Sequence, residues 1–219
     1  MKILLSGSSG FIGYHLTQRL LNEDFYVVGI DDHNDYYSPS LKEERLSKIS
    51  SKNFKFYKAN VNDDLSFIKE RFDVAINLAA QAGVRVNKSR EHLYEETNIL
   101  GFESFCNFCL KNNVKNIIYA SSSSIYSDFS GKKFVENHNI LNPLSLYGRS
   151  KLFNEKFALK FSNKYGLSMI GLRFFSVYGP FGRPDMAYYL FAKSLLQNKD
   201  VTLVNKGQMS RDMTFIDDV

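Results

Sequence analysis

An α/β fold with a doubly wound parallel sheet is what this 219-residue sequence predicts. Three observations carry that prediction. Short apolar runs recur at residues 2–5, 25–30, 54–57, 74–78, 116–120 and 169–173. Helical patterns lie between most of them, and the first two runs are joined by a glycine-rich turn. Strands that alternate with helices build a parallel sheet whose two faces are both covered. With 44% hydrophobic residues, the chain can bury the core of one domain, or of one domain and part of a second.

The elements follow in order. Residues 2–5 form a strand, 11–22 an amphipathic helix and 25–30 a second strand, which is a βαβ unit. Residues 32–40 read as a loop, as do 181–186 in the region where such folds pass from cofactor to substrate duties. Beyond the six runs, residues 201–204 are the weakest strand expectation. Pro39, Pro143, Pro180 and Pro184 all fall in expected loops, so the helices run uninterrupted. No internal repeat or low-complexity tract interrupts the pattern.

Composition excludes several classes. No apolar run is long enough to cross a bilayer, and with only Cys106 and Cys109 a reducing cytoplasm is the expected location. These cysteines sit one helical turn apart without a second Cys or His pair, so they read as core residues, and no metal is expected. The formal charge of +5 comes from 28 Lys and Arg scattered along the chain rather than gathered in a stripe. That argues for a polyanionic small ligand and against nucleic acid.

Gly7, Gly10 and Gly13 form a GxxGxxG turn between the first strand and the first helix. Glycine there lets backbone N–H groups and the helix N-terminus approach a pyrophosphate, the signature of a Rossmann-type dinucleotide site. Asp31 closes the second strand. Its carboxylate can accept both ribose hydroxyls and would repel a 2′-phosphate, so NAD is expected rather than NADP. Tyr147 and Lys151 are four residues apart, on one face of a helix. A free phenol ionises near pH 10, and the Lys151 cation, with the positive nicotinamide ring, is expected to lower the Tyr147 pKa. The run Ser121-Ser122-Ser123-Ser124 follows the strand ending at Ala120, at the sheet edge that faces the ligand crevice.

Together these residues resemble the extended short-chain dehydrogenase/reductase family of NAD-dependent epimerases and dehydratases, and within it the UDP-glucuronate 4-epimerases. The glycine turn and the YxxxK pair mark the superfamily. Leu78-Ala79-Ala80-Gln81-Ala82-Gly83-Val84-Arg85 and Gly182-Arg183-Pro184-Asp185-Met186-Ala187 point to the uronic-acid branch, with Asn34-Asp35-Tyr36-Tyr37 beside them.

The resemblance implies a Rossmann domain over residues 1–175 and the start of a sugar-nucleotide region over 176–219. It implies NAD contacts from Gly7, Gly10, Phe11, Ile12, Gly13, Asp31, Asn60, Val61, Leu78, Ala79, Ala80, Tyr147 and Lys151. By the same resemblance Tyr147 takes the sugar O4 proton while the C4 hydrogen passes to NAD. Ser122 then hydrogen-bonds O4, Lys151 also holds the nicotinamide ribose, and Arg85, Ser123 and Ser176 contact the UDP-sugar. The keto sugar receives its hydrogen back on the other face, so the reaction is redox-neutral. A 4-keto uronic acid can lose carbon dioxide, so its carboxylate must be clamped. Arg183 is the candidate clamp, because guanidinium binds carboxylate two-pronged, although a diphosphate contact or a surface role fits the sequence as well.

Ser123 and Ser124 stand where a 4,6-dehydratase carries Asp-Glu and a decarboxylase a Glu. That favours an epimerase, with a UDP-N-acetylhexosamine as the alternative substrate. Asn60, Asn77 and Ser127 depart from the family's Asp, His and Gly and are expected to loosen cofactor binding. The family dimerises through the helices corresponding to residues 93–110 and 147–165, so a homodimer is expected. The last residues, 211–219, resemble a segment well inside the family's length. The chain is therefore expected to stop about a third early, with a non-catalytic NAD-binding fragment as a further alternative.

Overall fold

The computed structural model of the chain describes residues 1–84, 86–126, 133–137 and 141–219. Arg85 and Ser127 therefore lie outside the described residues. Six strands, β1 (Lys2–Ser6), β2 (Tyr26–Asp31), β3 (Phe54–Lys58), β4 (Val74–Asn77), β5 (Asn116–Ala120) and β6 (Ser168–Leu172), form one sheet. Their order is β3-β2-β1-β4-β5-β6, and every pairing is parallel. The helices are α1 (Phe11–Asn22), α2 (Pro39–Ser47), α3 (Gly101–Lys111), α4 (Leu146–Tyr165) and α5 (Ala187–Leu196). Strand order turns back between β1 and β4, and such a switch point opens a crevice at the C-terminal ends of the strands.

Alternation along β1 sends its side chains to opposite faces, which explains why two cores form. Leu4 joins Val28, Ile30, Phe102, Phe105 and Ile117 on one side. Ile3 and Leu5 join Val27 and Ile76 on the other, under Leu16 and Leu20 of α1. Cys106 and Cys109 are buried free thiols in the first of these cores, and burial pushes the Cys106 thiol up to about 12. Both therefore pack as apolar residues. Among the described residues, no helix is long and apolar enough to cross a membrane.

Two sequence expectations are corrected. Residues 201–204 form no strand. Asn205 and Lys206 adopt positive φ of 51° and 52° in the turn Val204–Gly207, a conformation that ends an extended run. A separate two-stranded parallel sheet instead pairs β7 (Ser176–Tyr178) with β8 (Met213–Phe215). Val177 of β7 and Ile216, just past β8, bury against Phe11, so the small sheet sits at the start of α1. The loop after β2 is also shorter than expected, because Pro39 opens α2, where its missing N–H costs nothing.

Candidate active site

The turn after β1 is fixed by its own backbone. Gly7, at φ +73°, donates its N–H to Ile30 O at 2.8 Å, and Gly10 donates to Gly7 O at 3.0 Å. A Cβ on Gly7 would lie 2.7 Å from Ala79 N, and one on Gly13 would lie 2.0 Å from Gly7 O. Only glycine allows this close approach of turn, helix and the strand β4 exit. No side chain caps α1, and its first turn holds no carboxylate, so its N-terminal N–H groups are left for an anion. The turn opens into a cavity of about 880 Å³ lined by every described site residue named from the sequence.

At the far end, Asp31 is buried and accepts hydrogen bonds from Ser9 N (3.1 Å) and His33 N (2.9 Å). Lys42 of α2, equally buried, stands 3.7 Å from its carboxylate. Arg45, one turn further on α2, is fully buried and donates to Ser9 O, Phe181 O and Tyr37 Oη, tying the glycine turn to the loop after β7. Asn60 donates to Asp32 Oδ2 at 2.8 Å, and Asn77 accepts a 2.5 Å bond from Ser6 Oγ. Both departures from the family pattern are thus bonded locally. Glycines at the turn, the Asp31 carboxylate at the end of β2 and a deep cavity between them fit a dinucleotide.

The serine run and α4 meet at the other end. Ser121 Oγ donates to Glu155 at 2.5 Å, and Glu155 is in turn held two-pronged by Arg173. Ser121 is therefore committed to the scaffold. Ser122 caps the next turn by accepting from Ser124 N (3.1 Å) and shares a hydrogen bond with Tyr147. Gly148 is needed here, since a Cβ would lie 2.3 Å from Ser124 O. Lys151 Nζ lies 5.8 Å from the Tyr147 ring centre and donates to Ala120 O at 2.9 Å.

The electrostatics differ from the sequence expectation. Burial raises the Tyr147 phenol above its ordinary value, opposed by the Arg183 charge and the Ser122 hydrogen bond. Burial likewise pushes the Lys151 ammonium down to about 8. The Arg183 charge favours a Tyr147 phenolate, and Lys151 donates to a carbonyl.

Arg183 does not stand free. Its Nε and Nη2 grip Asp185 at 3.0 and 2.5 Å, and Asp185 also accepts from Tyr36 Oη at 2.9 Å. Burial opposes its charge, but Asp185 raises its pKa overall. Sequence reasoning missed Lys42, Asp185 and Tyr36 as site residues, and also Asn98. Asn98 lies in a π-helical stretch, Tyr94–Leu100, where its amide bonds Gln81 N, Gln81 O and Ser150 Oγ. That joins the loop after β4 to the turn before Lys151. Such widened turns often mark functional sites, but they have no residue signature.

A sequence profile of the "NAD dependent epimerase/dehydratase family" matches residues 3–219. "Protein CapI" of Staphylococcus aureus is 47% identical over 223 residues, which covers 100% of this chain and 67% of that protein. "UDP-glucuronate 4-epimerase 3" of Arabidopsis thaliana is 38% identical over 99% of this chain, which spans 52% of that relative's length. The crystal structure of UDP-glucuronic acid 4-epimerase from Bacillus cereus, in complex with UDP-glucuronic acid and NAD, superposes with a TM-score of 0.92 at 35% identity. It covers 100% of this chain and 70% of that one.

Proposed function

The chain belongs to the NAD dependent epimerase/dehydratase family, and we propose that the protein interconverts UDP-glucuronate and UDP-galacturonate by epimerisation at C4. The observation that carries this reading is the convergence of Ser122, Tyr147 and Arg183 on the cavity that begins at the Gly7 turn. Tyr147 and Ser122 form a proton-handling pair for a hydroxyl, while Arg183 offers a cation suited to a carboxylate.

In this reading NAD, when bound, would supply reversible hydride acceptance for C4. The chain's residues do the rest. Gly7, Gly10 and Gly13 admit the diphosphate, with Phe11, Ile12, Val61, Leu78, Ala79 and Ala80 shaping the groove, and Asp31 and Asn60 hold the adenosine end. Tyr147 accepts the O4 proton, Ser122 holds O4, Ser123 and Ser176 contact the sugar, and Lys151 would hold the nicotinamide ribose. Arg183 fixes the carboxylate so that the 4-keto sugar keeps it. Residues 1–175 would serve the cofactor and 176–219 begin the sugar-nucleotide region, a division that falls between β6 and β7. Exposed Leu100, Phe153, Leu159 and Tyr165 on α3's approach and α4 fit a homodimer face.

Tyr147→Phe tests the reading in the full-length protein. Turnover of UDP-glucuronate should collapse by at least about 100-fold, while NAD binding survives, because only the hydroxyl is lost. Near-normal turnover in that variant would remove Tyr147 as the base.

A further inference from the structure

Arg183 is gripped along one edge only. Asp185 takes Nε and Nη2, which leaves Nη1 and the second N–H of Nη2 as another fork of parallel donors. Asp185 is itself anchored from across the cavity, because Tyr36 belongs to the loop after β2, 149 residues away, and donates to it at 2.9 Å. The Tyr36 ring lies under the guanidinium, 5.7 Å from Arg183 Cζ. Gly83 makes room for this ring: it sits at φ +89°, and a Cβ there would come within 2.1 Å of the Tyr36 hydroxyl. Two loops, one from the cofactor side and one from the substrate side, thus fix a single guanidinium.

We propose that Asp185, steadied by Tyr36, is a positioning residue that turns the second fork of Arg183 toward the substrate's carboxylate and meters the positive charge felt by Tyr147. The inference rests on the reading of Tyr147 as the base and Arg183 as the carboxylate clamp. A carboxylate on the rear edge of a guanidinium leaves the front edge no freedom to swing, so a bound carboxylate meets a preset partner. The same carboxylate cancels part of the cation's field.

Among the described residues, four groups face Tyr147. Lys151 comes from its own helix, Ser122 from the turn after β5, Tyr94 from the π-helical stretch with ring centres 6.2 Å apart, and Arg183 from the loop after β7. Of the two cations, Lys151 is held by a carbonyl and Arg183 by a carboxylate. Asp185→Asn keeps an acceptor for Tyr36 and removes the negative charge, so Arg183 then acts on Tyr147 uncompensated. The Tyr147 phenolate gains.

The test is a tyrosinate absorbance titration of the NAD-bound, full-length protein, with the Tyr147→Phe spectrum subtracted to isolate Tyr147. In the Asp185→Asn background the Tyr147 pKa should fall by about half a unit to one unit, the effect of one partly screened charge. A pKa that stays put or rises overturns the proposal. Tyr36→Phe gives a second reading through binding alone: calorimetry should find the preference for UDP-glucuronate over UDP-glucose reduced several-fold, because Asp185 is no longer steadied from across the cavity. An unchanged ratio overturns the positioning role. Neither readout needs turnover. If the protein fails to epimerise UDP-glucuronate yet both effects appear, the proposed function falls while the role of Asp185 stands.

Discussion

Lys151 should cost the protein stability, and replacing it should make this measurable. The ammonium is buried, with one carbonyl as partner, and its pKa is pushed from the ordinary 10.5 down to about 8. The unfolded chain holds this proton more tightly than the folded one, so stability rises with pH between those two values and the full deficit is present below about 8. At about 1.4 kcal/mol per unit, the deficit near pH 7 is about 3 kcal/mol, and most of it is relieved by about pH 10. Lys151→Met keeps the length of the side chain and removes the titration. Denaturant unfolding of both proteins without NAD should show their stability difference moving by about 2–3 kcal/mol in favour of the unmutated protein from about pH 7 to about pH 10. Other groups that titrate there cancel in the difference. Parallel stability curves would refute the reasoning. A group that destabilises the fold and persists inside a ligand cavity is expected to serve the ligand, so the same substitution should weaken NAD binding.

Asp31→Asn should remove the preference for NAD over NADP, worth about 1.5–3 kcal/mol, and leave the Lys42 ammonium to attract a 2′-phosphate. Calorimetric titration with both cofactors checks this, and equal affinities in the unmutated protein would contradict it. Arg183→Ala should free the carboxylate of the 4-keto sugar, so a UDP-pentose should appear beside less epimer in chromatography of the products; an unchanged product ratio would reassign Arg183 to phosphate.

The sheet was legible because its strands are apolar runs separated by helices, and the cofactor end because glycines and a carboxylate sit at fixed distances from β1 and β2. Tyr147, Lys151 and Ser122 were legible for the same reason: each lies near the C-terminal end of a strand or the opening of a helix. The β7–β8 pair was not, since strands of three residues carry no periodicity. Residues 201–204 had the composition of a strand, but the left-handed residues that follow turn the chain away. The grip of Asp185 on Arg183 spans two residues, yet its meaning depends on Tyr36, 149 positions earlier, and no local pattern announces such a contact. The Tyr147 pKa moved against expectation because burial, which the sequence does not express, outweighs the neighbouring charges.

The central claim, C4 epimerisation with the hydrogen kept within the site, is tested most directly with UDP-glucuronate carrying deuterium at C4. After incubation with the full-length protein and NAD, NMR of the products should find UDP-galacturonate with deuterium still at C4 and no accumulation of NADH. Deuterium lost to water, or net NADH with no galacturonate product, would contradict it.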